Sequence, residues 1–284
     1  MSITRRQFAS QCLAVAAVTA IPGNCFAKPP RRRIQIAVKY NMITENLSVS
    51  DKFKLLHDLG FDGVEVYTRD ADDRKAFLRA REQTGLRIHG VVNSSSPDIK
   101  TAVELAGYLG GDSVLVLARE DTKRSYDENV RNWQELIRPV IPVAERNKVR
   151  ILIENVRATF LKTAEGMVKF IDSFETPFVG AYYDTGNTVT WTKQSAEHWA
   201  RVLGKRIGKM DVKDRGHAEF GDEKLKSKIA KGTDGGEVHW ENVRKELRAI
   251  DYTGFGTAEV RGGDRKRLAR MAKWMDQVLG NVAR

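Results

Sequence analysis

Between Ile34 and Leu279 the chain alternates between two hydrophobic periods. Short, nearly unbroken apolar runs, as buried strands require, are followed by longer stretches whose apolar residues recur every three or four positions, as on one face of a helix. The pattern predicts strands at Ile34–Tyr40, Gly63–Tyr67, Leu86–Val92 and Ser113–Ala118. Between and after them it predicts helices at Ser50–Leu59, Ala71–Gln83, Pro97–Leu109 and Ser125–Asn147, the last interrupted by Pro139 and Pro142. Gly60 and Gly85 stop the first two helices, and Pro97 suits the first turn of the third.

The second half repeats the scheme. Strands are predicted at Arg150–Asn155, Val179–Asp184, Arg206–Val212 and Phe255–Val260, with helices at Thr163–Phe174, Ser195–Leu203, His239–Ile250 and Asp264–Leu279. Strictly alternating strands and helices imply parallel pairing through right-handed crossovers, and the economical closure is an α/β (β/α)8 TIM barrel forming one domain over 34–284. The competing arrangement, an open doubly wound sheet, lacks its Gly-x-Gly-x-x-Gly turn after the first strand. The longest stretch without a period, Lys213 to Glu237, is expected to be a mobile loop over the barrel mouth.

Composition agrees with one soluble domain: 284 residues, 41% hydrophobic and 30% charged, enough to bury a full core. A formal net charge of +11 raises the question of nucleic acid or an anionic partner. The Lys and Arg are spread over most predicted helices, the pattern of solvated faces, so no nucleic acid is expected; self-association is left open.

The N-terminus stands apart. Thr4-Arg5-Arg6-Gln7-Phe8 is a twin-arginine pattern, followed by an apolar segment from Cys12 to Ile21 and small residues at Cys25 and Ala27. These read as a signal peptide over 1–27 and a flexible basic leader over 28–33, hence export to the periplasm or beyond. An apolar run of about ten residues is too short for a stable membrane anchor. Cleavage after Ala27 would remove both cysteines, leaving carboxylate and imidazole as the ligands for any metal.

Four predicted strands in succession end on an acid: Glu154, Asp184, Asp211 and Glu259. The C-terminal ends of the strands are where a parallel barrel gathers its chemistry. Any one of these acids could simply pair with a nearby Lys or Arg. Four at one barrel mouth need a compensating cation, and a single divalent ion is expected, with Mn²⁺, Mg²⁺ or Co²⁺ ahead of Zn²⁺ at an all-oxygen site.

The segments Leu59-Gly60-Phe61-Asp62-Gly63-Val64-Glu65, Ile153-Glu154-Asn155, Tyr183-Asp184-Thr185-Gly186-Asn187, Val212-Lys213-Asp214 and Ala258-Glu259 occur in the order found in the sugar phosphate isomerase/epimerase superfamily. The chain resembles these xylose isomerase-like barrels over nearly all of 34–284. The resemblance implies a sugar isomerase or epimerase. It also implies one divalent ion bound by Glu154, Asp184, the residue at 211 and Glu259, with Glu154 and Glu259 as catalytic acid and base. The family pattern places a His where Asp211 stands, a His at Asn187, and a second Glu at Phe160.

A carbonyl and neighbouring hydroxyl held on a dication acidify the C–H between them. Proton removal by one Glu gives an enediolate. Protonation from the other face epimerises, protonation of the adjacent carbon isomerises, and a β leaving group turns the reaction into elimination. The substrate is expected to be a free or 3-keto sugar, because an exported enzyme rarely meets sugar phosphates. Glu65, His89, Asn187, Lys213 and Arg261 are substrate-side candidates, with His89 equally a core histidine and Lys213 equally a partner of Asp214. Trp191 and His217 are expected in loops covering the sugar, while Trp133, Trp199 and Trp274 fall on helical periods and read as packing. Three alternatives remain: a lyase or hydrolase acting on 3-keto-glycosides through the same centre, a non-catalytic sugar-binding barrel, and a trinuclear-zinc endonuclease. The last is short of histidines, with five in the chain.

Overall fold

Nearly continuous apolar runs form the strands of the computed structural model, which describes residues 33–192, 194–215 and 236–281. In chain order the strands are β1 Gln35–Lys39, β2 Gly63–Tyr67, β3 Arg87–Asn93, β4 Ser113–Val116, β5 Arg150–Glu154, β6 Val179–Asp184, β7 Ile207–Val212 and β8 Phe255–Ala258. All pair in parallel, each with its sequence neighbour. Pairing of β1 with β8, from Gln35↔Phe255 to Val38↔Ala258, closes the (β/α)8 TIM barrel expected from the alternation.

The surrounding helices are α1 Val49–Asp58, α2 Arg74–Thr84, α3 Ile99–Leu109, α4 Tyr126–Ile137, α5 Ile141–Asn147, α6 Ala164–Asp172, α7 Thr185–Trp191, α8 Ala196–Leu203, α9 Trp240–Ala249 and α10 Arg265–Leu279. Local chemistry sets their ends. Ser48 accepts from the Asp51 amide at the start of α1, and Ser125 forms a capping box with Glu128 at α4. Gly85 and Gly110 close α2 and α3 in the left-handed conformation that glycine adopts without strain.

Two layers of side chains result from the period-2 alternation of the strands. Most buried apolar residues, such as Val38, Ile153, Tyr183, Met210 and Trp199, form one cluster in which sheet and helices pack. The interior holds a much smaller apolar set: Tyr67, Val92, Leu115, Leu117, Leu152 and Tyr182. The remaining inward positions near the strand ends are polar. Trp199 and Trp274 pack in the core as expected, and Trp240 meets Trp274 edge to face at 6.0 Å.

Several element ends shift, so that Pro97 precedes α3 and β8 stops before Val260, and the structure departs from the periodic reading most clearly in three places. The single helix expected over Ser125–Asn147 is α4, a 3-10 turn at Arg138–Val140 and then α5, because Pro139 and Pro142 each lack an amide and restart the helix at its first turn. The first strand ends at Lys39, and Tyr40–Met42 turns into a 3-10 helix. Residues Thr185–Trp191, expected as a loop, form α7, so Trp191 closes a helix and is exposed there. The proposed signal peptide, the leader apart from Arg33, His217 and most of the expected loop 213–237 lie outside the described residues. Among the described residues, no helix is long and apolar enough to cross a membrane.

The ends of that 213–237 stretch are nevertheless firmly held. Buried Asp214 accepts from the amides of Glu237 (2.7 Å) and Val238 (3.0 Å) and from Trp240 Nε1 (2.9 Å). Glu237 N also donates to Arg215 O at 2.9 Å. Asp214→Ala would leave these buried donors without an acceptor, at a cost of about 3 kcal/mol. For a domain of this size that corresponds to a melting temperature lower by roughly 6–12 °C in a thermal scan.

A four-carboxylate candidate metal centre

The register of the sheet brings the acids together. Asp184 is the register partner of Asp211 across β6–β7, while Glu154 pairs with Tyr182, two residues before Asp184 and on the same face. Glu259 follows β8 directly and continues its ladder, its amide donating to Val212 O. One ligand atom from each of Glu154, Asp184, Asp211 and Glu259 lies within 4.8 Å of the others. Glu154, Asp184 and Asp211 are buried and Glu259 is half-buried. At such separations each pair of ionised carboxylates repels by roughly 3 kcal/mol with an effective dielectric constant near 20.

The segment Asp184-Thr185-Gly186-Asn187 explains how the centre is built. Asp184 Oδ1 caps α7 by accepting from Asn187 N at 2.8 Å, which fixes its carboxylate. Asn155 clamps the backbone on the other side: its Nδ2 donates to Asp184 O at 2.8 Å and its Oδ1 accepts from Asp184 N at 2.7 Å. Asn187 Nδ2 donates to Glu154 Oε1 at 3.0 Å, so Asn187 reaches the centre through a catalytic candidate. Thr185 Oγ1 donates to Lys213 O at 2.9 Å, tying this turn to the end of β7. Gly186 is required by that close approach, since a Cβ there would run into the Lys213 side chain and sit 3.1 Å from its carbonyl oxygen.

Two ammonium groups enter the acid cluster. Lys213 Nζ lies 2.6 Å from Glu259 Oε2 and 2.8 Å from Asp184 Oδ2. Its expected alternative partner, Asp214, is taken up by the amides and indole described above. Lys39, absent from the residues picked out of the sequence, lies 2.9 Å from Asp211 Oδ2 and also contacts Glu259 Oε1. Four carboxylates against two lysines leave two negative charges uncompensated if all are ionised.

The proton affinities reflect that excess. Burial, reinforced by Glu259 and Asp184, pushes the Glu154 carboxyl up to about 8. Burial, with Glu259, pushes Asp184 up to about 7, and Asp211 is raised well above the carboxylate range, chiefly by burial. For Glu259, burial is outweighed by Lys213 and Lys39, which hold it below the ordinary range. Among the described residues, Asp211 Oδ1 is buried without a hydrogen-bond partner. An orphaned oxygen, uncompensated charge and an all-oxygen donor set fit one hard divalent ion.

The other sequence candidates lie elsewhere. Glu65 and His89 do not face the mouth. Both are buried inside the barrel, where His89 stacks on Phe255, the first residue of β8, at 4.1 Å, and meets Thr257 Oγ1 through Nε2 at 3.2 Å. They stand mid-strand because β2 and β3 run on beyond them, to Tyr67 and Asn93. Burial holds the Glu65 carboxyl at about 7, and neither of its oxygens has a hydrogen-bond partner among the described residues. Arg261 is exposed in the connection after β8, its carbonyl accepting from Arg267 Nε at 2.9 Å. Phe160 is buried against Tyr126 and Phe170.

Residues 53–278 match the family model described as Xylose isomerase-like TIM barrel. The chain belongs to this family. Solved structures share its fold at low identity. Apo 3-keto-D-glucoside 4-epimerase YcjR from E. coli aligns with a TM-score of 0.71 and 16% identity, covering 86% of this chain and 99% of that one. D-allulose 3-epimerase from Methylomonas sp. gives 0.69 and 18%, covering 88% and 99%. The IOLI protein with a bound zinc atom gives 0.69 and 14%, covering 88% and 100%. No curated protein matches the sequence.

The raised carboxyls set a pH dependence for the metal-free protein. Glu154 and Asp184 hold protons in the folded state that the unfolded chain has released above ordinary carboxylate pKa values. Their contribution to stability is complete below that range and is lost as pH rises through about 7 to about 8. The melting temperature in chelator is therefore expected to fall between about pH 4 and about pH 8, and excess Mn²⁺ to flatten the profile. A melting curve in chelator that stays level or climbs over that interval would contradict the charge excess.

Proposed function

We propose that this protein is a divalent-metal-dependent sugar isomerase or epimerase that moves a proton at the carbon next to a carbonyl. The observation that carries the reading is the meeting of Glu154, Asp184, Asp211 and Glu259 within 4.8 Å at the C-terminal rim of the barrel. The fold likeness to sugar epimerases supports the substrate class. These four residues would hold the ion, which when bound would supply Lewis-acid polarisation of the substrate carbonyl.

The rest of the work falls to the chain. Glu154 and Glu259 rise from β5 and β8, separate arcs of the rim, and can address a bound sugar from different sides. In the metal-free centre Lys213 and Lys39 hold Glu259 ionised, while burial keeps on Glu154 a proton that would leave when the ion binds. Asn187 Nδ2 orients Glu154 through Oε1, and Lys213 Nζ is placed to hold a substrate oxygen beside Glu259. Return of the proton to the opposite face inverts the carbon, and return to its neighbour isomerises the sugar.

A second reading, a lyase or hydrolase acting on a 3-keto-glycoside, has its own support. A hollow of about 510 Å³, lined by Arg119, Val156, Arg157 and Trp191 among others, opens beside the residues that follow β5. The exposed Trp191 ring and the Arg157 guanidinium 5.0 Å over it both line that hollow, setting hydrogen-bond donors beside an aromatic ring for a second sugar ring. Export through the twin-arginine segment belongs to the same reading and favours a free or 3-keto sugar over a sugar phosphate.

The test is solvent exchange. With candidate ketoses and 3-keto-glycosides in D₂O, deuterium is expected to enter at the carbon next to the carbonyl. Chelator should abolish it, and Glu154→Gln and Glu259→Gln should each slow it by roughly 10²–10⁴-fold. Full exchange in both variants would remove the two glutamates from the mechanism, and no exchange with any sugar would favour a binding barrel.

A further inference from the structure

Lys39 is the member of the centre to which the proton transfer assigns no direct step. It ends β1, on the far side of the barrel closure from the acids of β5 and β6, and is 4% exposed. A lysine is seldom so deeply buried unless paired, because its ammonium forfeits its hydration. Here the partners are two of the four clustered carboxylates, Asp211 Oδ2 at 2.9 Å and Glu259 Oε1. Lys213 serves the other side of the cluster, on Asp184 and Glu259, and is more open to solvent.

The lysines divide the oxygens between them. Asp211 gives Oδ2 to Lys39, and its Oδ1 is left buried with no hydrogen-bond partner among the described residues. Thr185 Oγ1 bonds to the Asp211 backbone carbonyl and leaves the carboxylate to Lys39. Asp211 is thus turned so that one oxygen is spent on a fixed internal cation and the other points into the cluster.

We propose that Lys39 is a built-in counter-cation that sets how tightly the centre holds its divalent ion, by fixing Asp211 as a one-oxygen ligand and by opposing the ion with a charge of its own. The inference rests on the reading that the four acids take a dication. With both lysines present, the four carboxylates carry two surplus negative charges, matched to one divalent ion. Without Lys39 the surplus rises by one, and the ion no longer shares Asp211 and Glu259 with an ammonium. Like charges bound to the same carboxylates in a poorly hydrated site repel strongly, so removal of Lys39 tightens binding.

The experiment is calorimetric titration of MnCl₂ into the chelator-stripped full chain, comparing wild type, Lys39→Met and Asp211→Asn. Lys39→Met is expected to lower the Mn²⁺ dissociation constant at least tenfold, and Asp211→Asn to raise it at least tenfold. Wild-type binding with unchanged or weaker binding in Lys39→Met overturns the inference while leaving the metal centre in place. No binding by either protein overturns the metal centre, and the inference with it. If Lys39→Met is too unstable to titrate without metal, its melting temperature decides. The inference requires a larger Mn²⁺-induced rise than in wild type, and failure of millimolar Mn²⁺ to restore folding overturns it.

Discussion

Mutual repulsion among four carboxylates is the constraint around which this barrel is arranged. Glu154, Asp184, Asp211 and Glu259 are delivered by consecutive strands to a space where their oxygens lie within 4.8 Å of one another. Unlinked acids would move apart or take up protons. Here the closed sheet denies them the first course, because the register that sets Asp184 beside Asp211 is shared with the whole β6–β7 ladder. Asn155, Asn187 and the cap of α7 then remove the remaining freedom of Glu154 and Asp184. The stress is relieved by cations: Lys39 and Lys213 from the chain, and the dication proposed above.

Much of this could be read from the sequence, and for a definite reason. Strands buried on both faces leave long apolar runs, and an acid interrupting such a run at its end is conspicuous. Eight alternations, the barrel and the four acids followed from that. The segment Tyr183-Asp184-Thr185-Gly186-Asn187 was visible as a unit, though not that Thr185–Trp191 would wind into a helix with Asp184 as its cap. Without a flanking apolar period, that turn gives no helical signal of its own.

The misses share a cause. Glu65 and His89 were counted as substrate-side candidates, His89 equally as a core histidine, because periodicity does not report depth along a barrel axis. That depends on shear and on the β2–β3 irregularity between Val64 and Glu65. Lys39 was overlooked because a lysine closing a strand is normally a solvated end. Only the β1–β8 closure, a contact between the two extremes of the fold, turns it inward against Glu259. Asn155 was quoted only as part of a motif, and its double hydrogen bond to the Asp184 backbone becomes evident once β5 and β6 are neighbours.

Asp214 has a consequence for how such a barrel can diversify. By binding the amides of Glu237 and Val238 and the indole of Trp240, it brings the polypeptide back to the place where it left β7, and Glu237 is tied to Arg215 as well. The intervening stretch is thereby a detour with a locked base. Lengthening it changes closure entropy by only about 0.6 kcal/mol per doubling, and its two described ends stay joined through Asp214. An insertion point whose ends are pinned beside Lys213 lets new substrate preferences be tried without reopening the problem of holding four acids together.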